Sequence, residues 1–172
     1  MKLLLTQGQI ALIDDEDYEL VSHHKWCAYK HRNTWYACSR ESRKLHKGKQ
    51  KTIYMHRLIM GAEKGLEIDH INGNGLDNHK ENLRFCTTAQ NQMNQIGKGG
   101  TSQYKGVSWH KRDSKWQAAI CFNKKQLYLG LFIDEIEAAK AYDEAAKKYY
   151  GEFANPNFGG NDAFALYRQQ RV

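Results

Sequence analysis

Four side chains in the middle of the chain stand at spacings suited to metal-assisted hydrolysis. Asp69 and His70 are adjacent, Asn82 follows twelve residues after His70, and Asn91 nine after that. Such hydrolysis asks for a cation to stabilise developing charge, a base to deprotonate water, and a scaffold that holds both. Asp69 offers a carboxylate oxygen and Asn91 a carboxamide oxygen, hard ligands that suit Mg²⁺ or Mn²⁺ better than Zn²⁺. The imidazole of His70 has an unperturbed pKa suited to a base near neutral pH. Consecutive side chains on a strand point to opposite faces. Asp69 and His70 can therefore serve one substrate only if the strand twists or kinks there.

In order and spacing, Asp69-His70, Asn82-Leu83-Arg84 and Asn91 resemble the HNH nuclease motif, in the variant whose last histidine is an asparagine. The resemblance implies a ββα-metal architecture, with His70 as general base and Asp69 and Asn91 as ligands of Mg²⁺ or Mn²⁺. It also implies that Asn82 bridges two strands through its amide and orients His70. His79 occupies a position that varies in that family and is set aside; Asn94, one turn beyond Asn91, fits the spacing less well. Residues 55–59, Met-His-Arg-Leu-Ile, resemble the segment that commonly precedes the motif in phage HNH enzymes. Arg57 and His56 are therefore candidate phosphate contacts, with packing the equal alternative for His56.

The elements that must position these groups follow from local pattern. Residues 68–71 read as a strand, 72–75 as a turn, 83–86 as a second strand and 87–95 as a helix capped by Thr87 or Thr88. Residues 51–60 read as a strand running into a short helix. Ahead of them, residues 1–50 form a β-rich unit, with a hairpin turning at Arg32-Asn33 that could bring Cys27 opposite Cys38. The acids at 14–17 read as a solvated turn or a capped helix start. Residues 40–51 hold six Lys/Arg against one Glu, an exposed loop in which Arg43, Lys44, Lys47 and Lys49 are candidates for tracking a phosphate backbone.

Beyond the glycine-rich linker at 97–102 the pattern changes. Residues 116–123 and 126–131 alternate with the period of half-buried strands, and 106–109 adds a third. Residues 134–150 then switch to helical period, with Asp134 and Glu137 placed for a capping box and Gly151 for the stop. Charge divides likewise: residues 102–128 carry six Lys/Arg and one Asp, whereas 134–152 carry three Lys and six acids. The open sheet face, rather than the helix, should meet an anionic partner.

The wording YKGVSW, KWQAAI, YLGLF and EAAKAYDEAAKKYYGEFANPNF resembles the DNA-binding domain of plant ethylene-response factors, the APETALA type. The resemblance implies a three-stranded sheet laid in the major groove of double-stranded DNA. By position it makes Lys105, Ser108, Lys115, Gln117, Cys121, Gln126 and Tyr128 the contact candidates. Ser108, Cys121 and Gln126 stand where the plant proteins often carry other side chains, and none can make arginine's bidentate guanine contact. The target sequence therefore does not transfer. Lys105 and Ser108 share a face only if the strand bulges, which Gly106 permits.

The expected fold class is α+β: a β-rich unit over 1–50, a nuclease core over 51–96, the linker over 97–102, a sheet-and-helix domain over 103–158, and a tail. Net charge of +7 and 41% hydrophobic residues exclude disorder throughout and favour an anionic partner without identifying it. No run approaches the ~18 apolar residues of a membrane span, residues 1–5 lack a signal-peptide pattern, and a cytoplasmic location is the expectation. The four cysteines form no CxxC pair, against a zinc-stapled module. The leading expectation is a homing-type DNA endonuclease, monomeric on an asymmetric site; the alternative is a DNA-binding regulator with an inert nuclease scaffold.

Overall fold

The computed structural model describes residues 1–31, 34–41, 51–63, 65–95 and 100–159. The Arg32-Asn33 turn, the candidates Arg43, Lys44, Lys47 and Lys49, the first half of the linker and the tail from residue 160 lie outside the described residues. The chain divides into two compact units, 1–88 and 89–172. Helix and strand are mixed, and every sheet among the described residues is antiparallel.

The first unit begins with a ribbon of β1 (Lys2–Leu4) and β2 (Ile10–Leu12). After α1 (Tyr18–Ser22), strands β3 (Cys27–His31), β4 (Thr34–Glu41) and β5 (Lys51–Tyr54) form a sheet in that order, and α2 (Met55–Ile59) follows directly. A two-stranded ladder of β6 (Glu67–His70) and β7 (Leu83–Cys86) completes the unit. One core joins these pieces: Ala11, Ile13 and Val21 from the start of the chain pack with Met55, Ile59, Ile68 and Leu83. No boundary therefore falls at residue 50, because neither half has a separate core to bury.

The acids at 14–17 are more than a solvated turn. The Lys80 ammonium reaches Glu16 at 2.6 Å and the buried Asp17 at 2.8 Å, and the Asp14 carboxylate accepts the Lys80 backbone N–H at 2.8 Å. Both carboxylate bonds push the Lys80 pKa up. The cluster clips the loop before β7 to the chain's first turn. Cys27 and Cys38 do face each other in register, as free thiols with sulfurs 3.5 Å apart.

The second unit holds most of α3 (Thr88–Asn94), a sheet ordered β10-β9-β8, and a long helix. The strands are β8 (Val107–His110), β9 (Lys115–Phe122) and β10 (Lys125–Phe132). Helix α4 (Glu135–Tyr150) lies on one face, its Ala138, Ala139, Tyr142 and Ala146 meeting Val107, Ala118 and Ile120. Small side chains there allow close approach. The Asp134 carboxylate caps the helix by accepting from the Ile136 and Glu137 N–H groups, and Gly151 ends it at φ +55°.

Candidate functional site

The central site is built on β6. Asp69 stands opposite Arg84 in the ladder and His70 opposite Leu83. The Asp69 carboxylate accepts from Arg84 Nη2 at 2.8 Å and Nε at 3.1 Å, both at Oδ2. His70 meets the ring of His56 edge-on, centroids 4.9 Å apart, and that of Tyr36 at 5.8 Å. Its Nε2 lies 3.3 Å from Asn78 Oδ1. Asp69 and His70 are each only 6% exposed, so neither is a solvated surface residue.

Asn82 does not take the orienting role expected of it. Its amide nitrogen donates to the Asp77 carbonyl at 2.7 Å and to Asn72 Oδ1 at 3.1 Å, while its oxygen accepts the Asn72 N–H at 3.0 Å. It pins the loop between the strands. The partner seen on His70 is Asn78, a residue that sequence reasoning passed over. Asn78 is fully buried, and the signal that could have found it is a polar side chain two residues after the apolar Leu76.

His56 and Arg57 also depart from expectation. The Arg57 guanidinium donates to the backbone carbonyls of Leu66 at 2.6 Å, Glu63 at 2.8 Å and Ala62 at 3.4 Å. It closes the turn after α2 and is taken up there rather than offered to a phosphate. His56 is buried among Tyr36, Tyr54 and His70. Burial above all, then the neighbouring His70 and Arg57 charges, pushes its pKa down to about 3. A neutral ring gives a phosphate no charge, so packing is its role. His79, set aside earlier, donates from Nδ1 to the Asp77 carboxylate at 2.6 Å.

The His70 pKa is also lowered, by burial; the Asn78 bond and the Asp69 and Asp77 charges oppose the shift without cancelling it. The ring is thus neutral at physiological pH, the form a base requires. Asn91 lies on α3, half-buried, in the second unit. Asn94, the competing ligand, is buried and held through its carbonyl and Oδ1 by Asn155 Nδ2, at 2.7 and 3.3 Å. This favours Asn91. Among the described residues, no three His, Cys, Asp or Glu side chains gather as a metal site. Asp69 in the first unit and Asn91 in the second each carry a hard oxygen of the kind Mg²⁺ takes.

The second unit presents the sheet face away from α4. Cross-strand pairs Ser108–Gln117, His110–Lys115, Ala119–Tyr128 and Cys121–Gln126 alternate with the helix-facing pairs. Ser108, Lys115, Cys121, Gln126 and Tyr128 are exposed and Gln117 half-exposed. Six of the seven sequence-predicted contacts therefore share one open face.

Lys105 is the seventh, and the fold turns it inward. Its ammonium donates to the Met93 carbonyl and lies 6.0 Å from the centre of the Tyr142 ring. Burial pushes its pKa down to about 8, with Asp143 resisting. The Asn157 side chain brackets its backbone, accepting the Lys105 N–H and donating to the Lys105 carbonyl. Gly106 makes this possible at φ +77°: a Cβ there would come within 1.9 Å of the Tyr142 ring.

Comparison with known proteins follows the same division. Residues 54–93 match the HNH endonuclease family and residues 102–152 the AP2 domain. An AP2-like ethylene-responsive transcription factor of Arabidopsis thaliana is 28% identical over 179 residues, covering 93% of this chain and 35% of that protein. APETALA2-like protein 2 of Oryza sativa subsp. japonica is 46% identical over 61 residues, 34% of this chain and 14% of its own length. An uncharacterized HNH endonuclease of Acanthamoeba polyphaga mimivirus is 29% identical over 153 residues, 88% of this chain and 76% of that protein. The chain spans about a third of the length of the plant relatives first matched. Together the two domains point to a DNA nuclease or a DNA-binding protein.

Proposed function

We propose, on the premise that an HNH endonuclease segment and an AP2 segment are joined in one chain, that the protein is a metal-dependent DNA endonuclease of the homing type. The observation that carries this reading is His70 at the end of β6, buried beside Asp69 on a strand–loop–strand unit. His70 takes the proton of the attacking water. Arg84 holds the Asp69 carboxylate, Asn82 pins the intervening loop, and Asp69 and Asn91 would hold Mg²⁺ or Mn²⁺. The cation, when bound, supplies positive charge to the phosphate oxygens as the bond breaks.

The open sheet face of the second unit selects the site on double-stranded DNA. Its centre offers neutral polar groups, with Gln117 and Gln126 suited to adenine edges. One active site per chain predicts a monomer on an asymmetric site that nicks, or cuts the strands in turn, leaving 3′-hydroxyl and 5′-phosphate ends. The test is selection of cleaved sites from a randomised DNA library in Mg²⁺ or Mn²⁺, with strand-resolved end mapping. Enrichment of one site with defined nicks is expected; a protein that never opens supercoiled library DNA is not a nuclease.

A second reading, a DNA-binding regulator with an inert scaffold, is favoured by the likeness to plant transcription factors and by the low exposure of Asp69 and His70. It predicts tight site-specific binding without cleavage, and no loss of binding on replacing Asp69 or Asn91.

A further inference from the structure

We infer that Asn78 is a positioning residue that fixes His70 in the tautomer with hydrogen on Nε2, and that the N-terminal ribbon exists in part to seat it. The inference deepens the nuclease reading and rests on it for its catalytic consequence.

The direction of the Asn78–His70 bond follows from what surrounds the amide. Asn78 Nδ2 donates to the Leu76 carbonyl at 3.1 Å. Turning the amide over would place Oδ1 against that carbonyl, two acceptors facing each other in a site with no exposure to water. Oδ1 is thereby fixed toward the imidazole, and an amide oxygen only accepts. His70 Nε2, 3.3 Å away, must therefore be the donor. A neutral imidazole carries one N–H, so its basic nitrogen is Nδ1. Asn78 thus decides which ring nitrogen takes a proton from water.

What holds Asn78 is remote in sequence. Its own N–H donates to the Leu12 carbonyl at 2.8 Å, and the Leu12 N–H donates to the Leu76 carbonyl at 2.8 Å. Leu12 forms a parallel bridge with Asp77. Strand β2 therefore grips Asn78 itself and Leu76, two residues before it, and Ala11 and Ile13, both fully buried, anchor this stretch in the shared core. The Leu76 carbonyl accepts from both Leu12 and Asn78. The first twelve residues so form part of the seat of the base, which accounts for a core that crosses residue 50.

The experiment uses the full chain with ¹⁵N-labelled histidine, reading the His70 ring nitrogens by long-range ¹H–¹⁵N correlation alongside cleavage kinetics. Wild-type protein is expected to show hydrogen on Nε2. Asn78→Ala is expected to bring in a measurable share of the Nδ1–H form and to lower kcat about tenfold to a hundredfold, as an ill-positioned base does, with KM for DNA unchanged. The ring signals of the wild-type protein serve as the test if the alanine protein does not fold. A wild-type ring with hydrogen on Nδ1, or an alanine variant with unchanged ring signals and kcat, overturns the inference. Absence of all DNA cutting by wild type would instead sink the nuclease reading, leaving the tautomer readout to decide the role of Asn78.

Discussion

The β6 site and the open sheet face use polar side chains in opposite ways. Around His70 nearly every polar group is buried with a fixed partner: Asp69 on Arg84, Asn78 on Leu76, Asn82 on Asp77. On the sheet, Ser108, Lys115, Gln126 and Tyr128 stand exposed. The difference suits each surface to its part in the proposed function. A base works only if its proton sits on the right nitrogen, and burial makes a misplaced partner costly. Recognition of a ligand needs donors and acceptors still available to it.

The largest expected effect breaks the chemistry and spares the reading face. His70→Ala should lower cleavage by about 10²- to 10⁴-fold while site-specific binding in a gel-shift assay stays unchanged. A variant cutting at the wild-type rate would remove His70 from the role of base. The converse change is Gly106→Ala, which combines a positive φ with a collision against Tyr142. Strain and overpacking together should destabilise the second unit by roughly 2–4 kcal/mol, read from its thermal transition, and an unchanged melting curve would refute the packing.

Acid should act on the first unit more than on the second. His56 has its folded pKa depressed to about 3, so the unfolded chain binds more protons below the ordinary histidine value of about 6.5. Stability is then fully present above that value and declines as pH falls from 6.5 toward 3, by up to ~1.4 kcal/mol per pH unit for this group. His70 adds to the same trend, its pKa shifted in the same direction. His56→Phe should flatten the urea-denaturation profile over that window; an identical slope would mean the ring is not buried neutral.

The smallest effect sharpens the comparison most finely, because it separates two lysines of one domain. Lys115→Ala should reduce the salt slope of DNA binding by about 0.9 if it pairs with a phosphate. Lys105→Met should leave that slope unchanged, since its ammonium is spent on the Met93 carbonyl. Equal slopes lost from both would return Lys105 to the DNA-contact set.

Much of this arrangement is legible in the chain itself. The alternation of Trp116, Ala118 and Ile120 announces a half-buried strand, Asp134 and Gly151 delimit α4, and the spacing of Asp69, His70, Asn82 and Asn91 marks out a candidate site. These are local signals: period, caps and chemistry repeat along the backbone wherever the residues occur. Partners are not local. That Asn78 rather than Asn82 meets His70, that Arg57 is absorbed by backbone carbonyls, that Lys105 turns inward, and that acids at 14–17 clamp Lys80 all depend on how the elements fold onto one another. The sequence by itself determined the elements and the kinds of chemistry the chain carries. Only the tertiary structure decided which buried donor faces which acceptor, because that choice is set by how the elements of each unit pack, in the first unit through residues more than sixty positions apart.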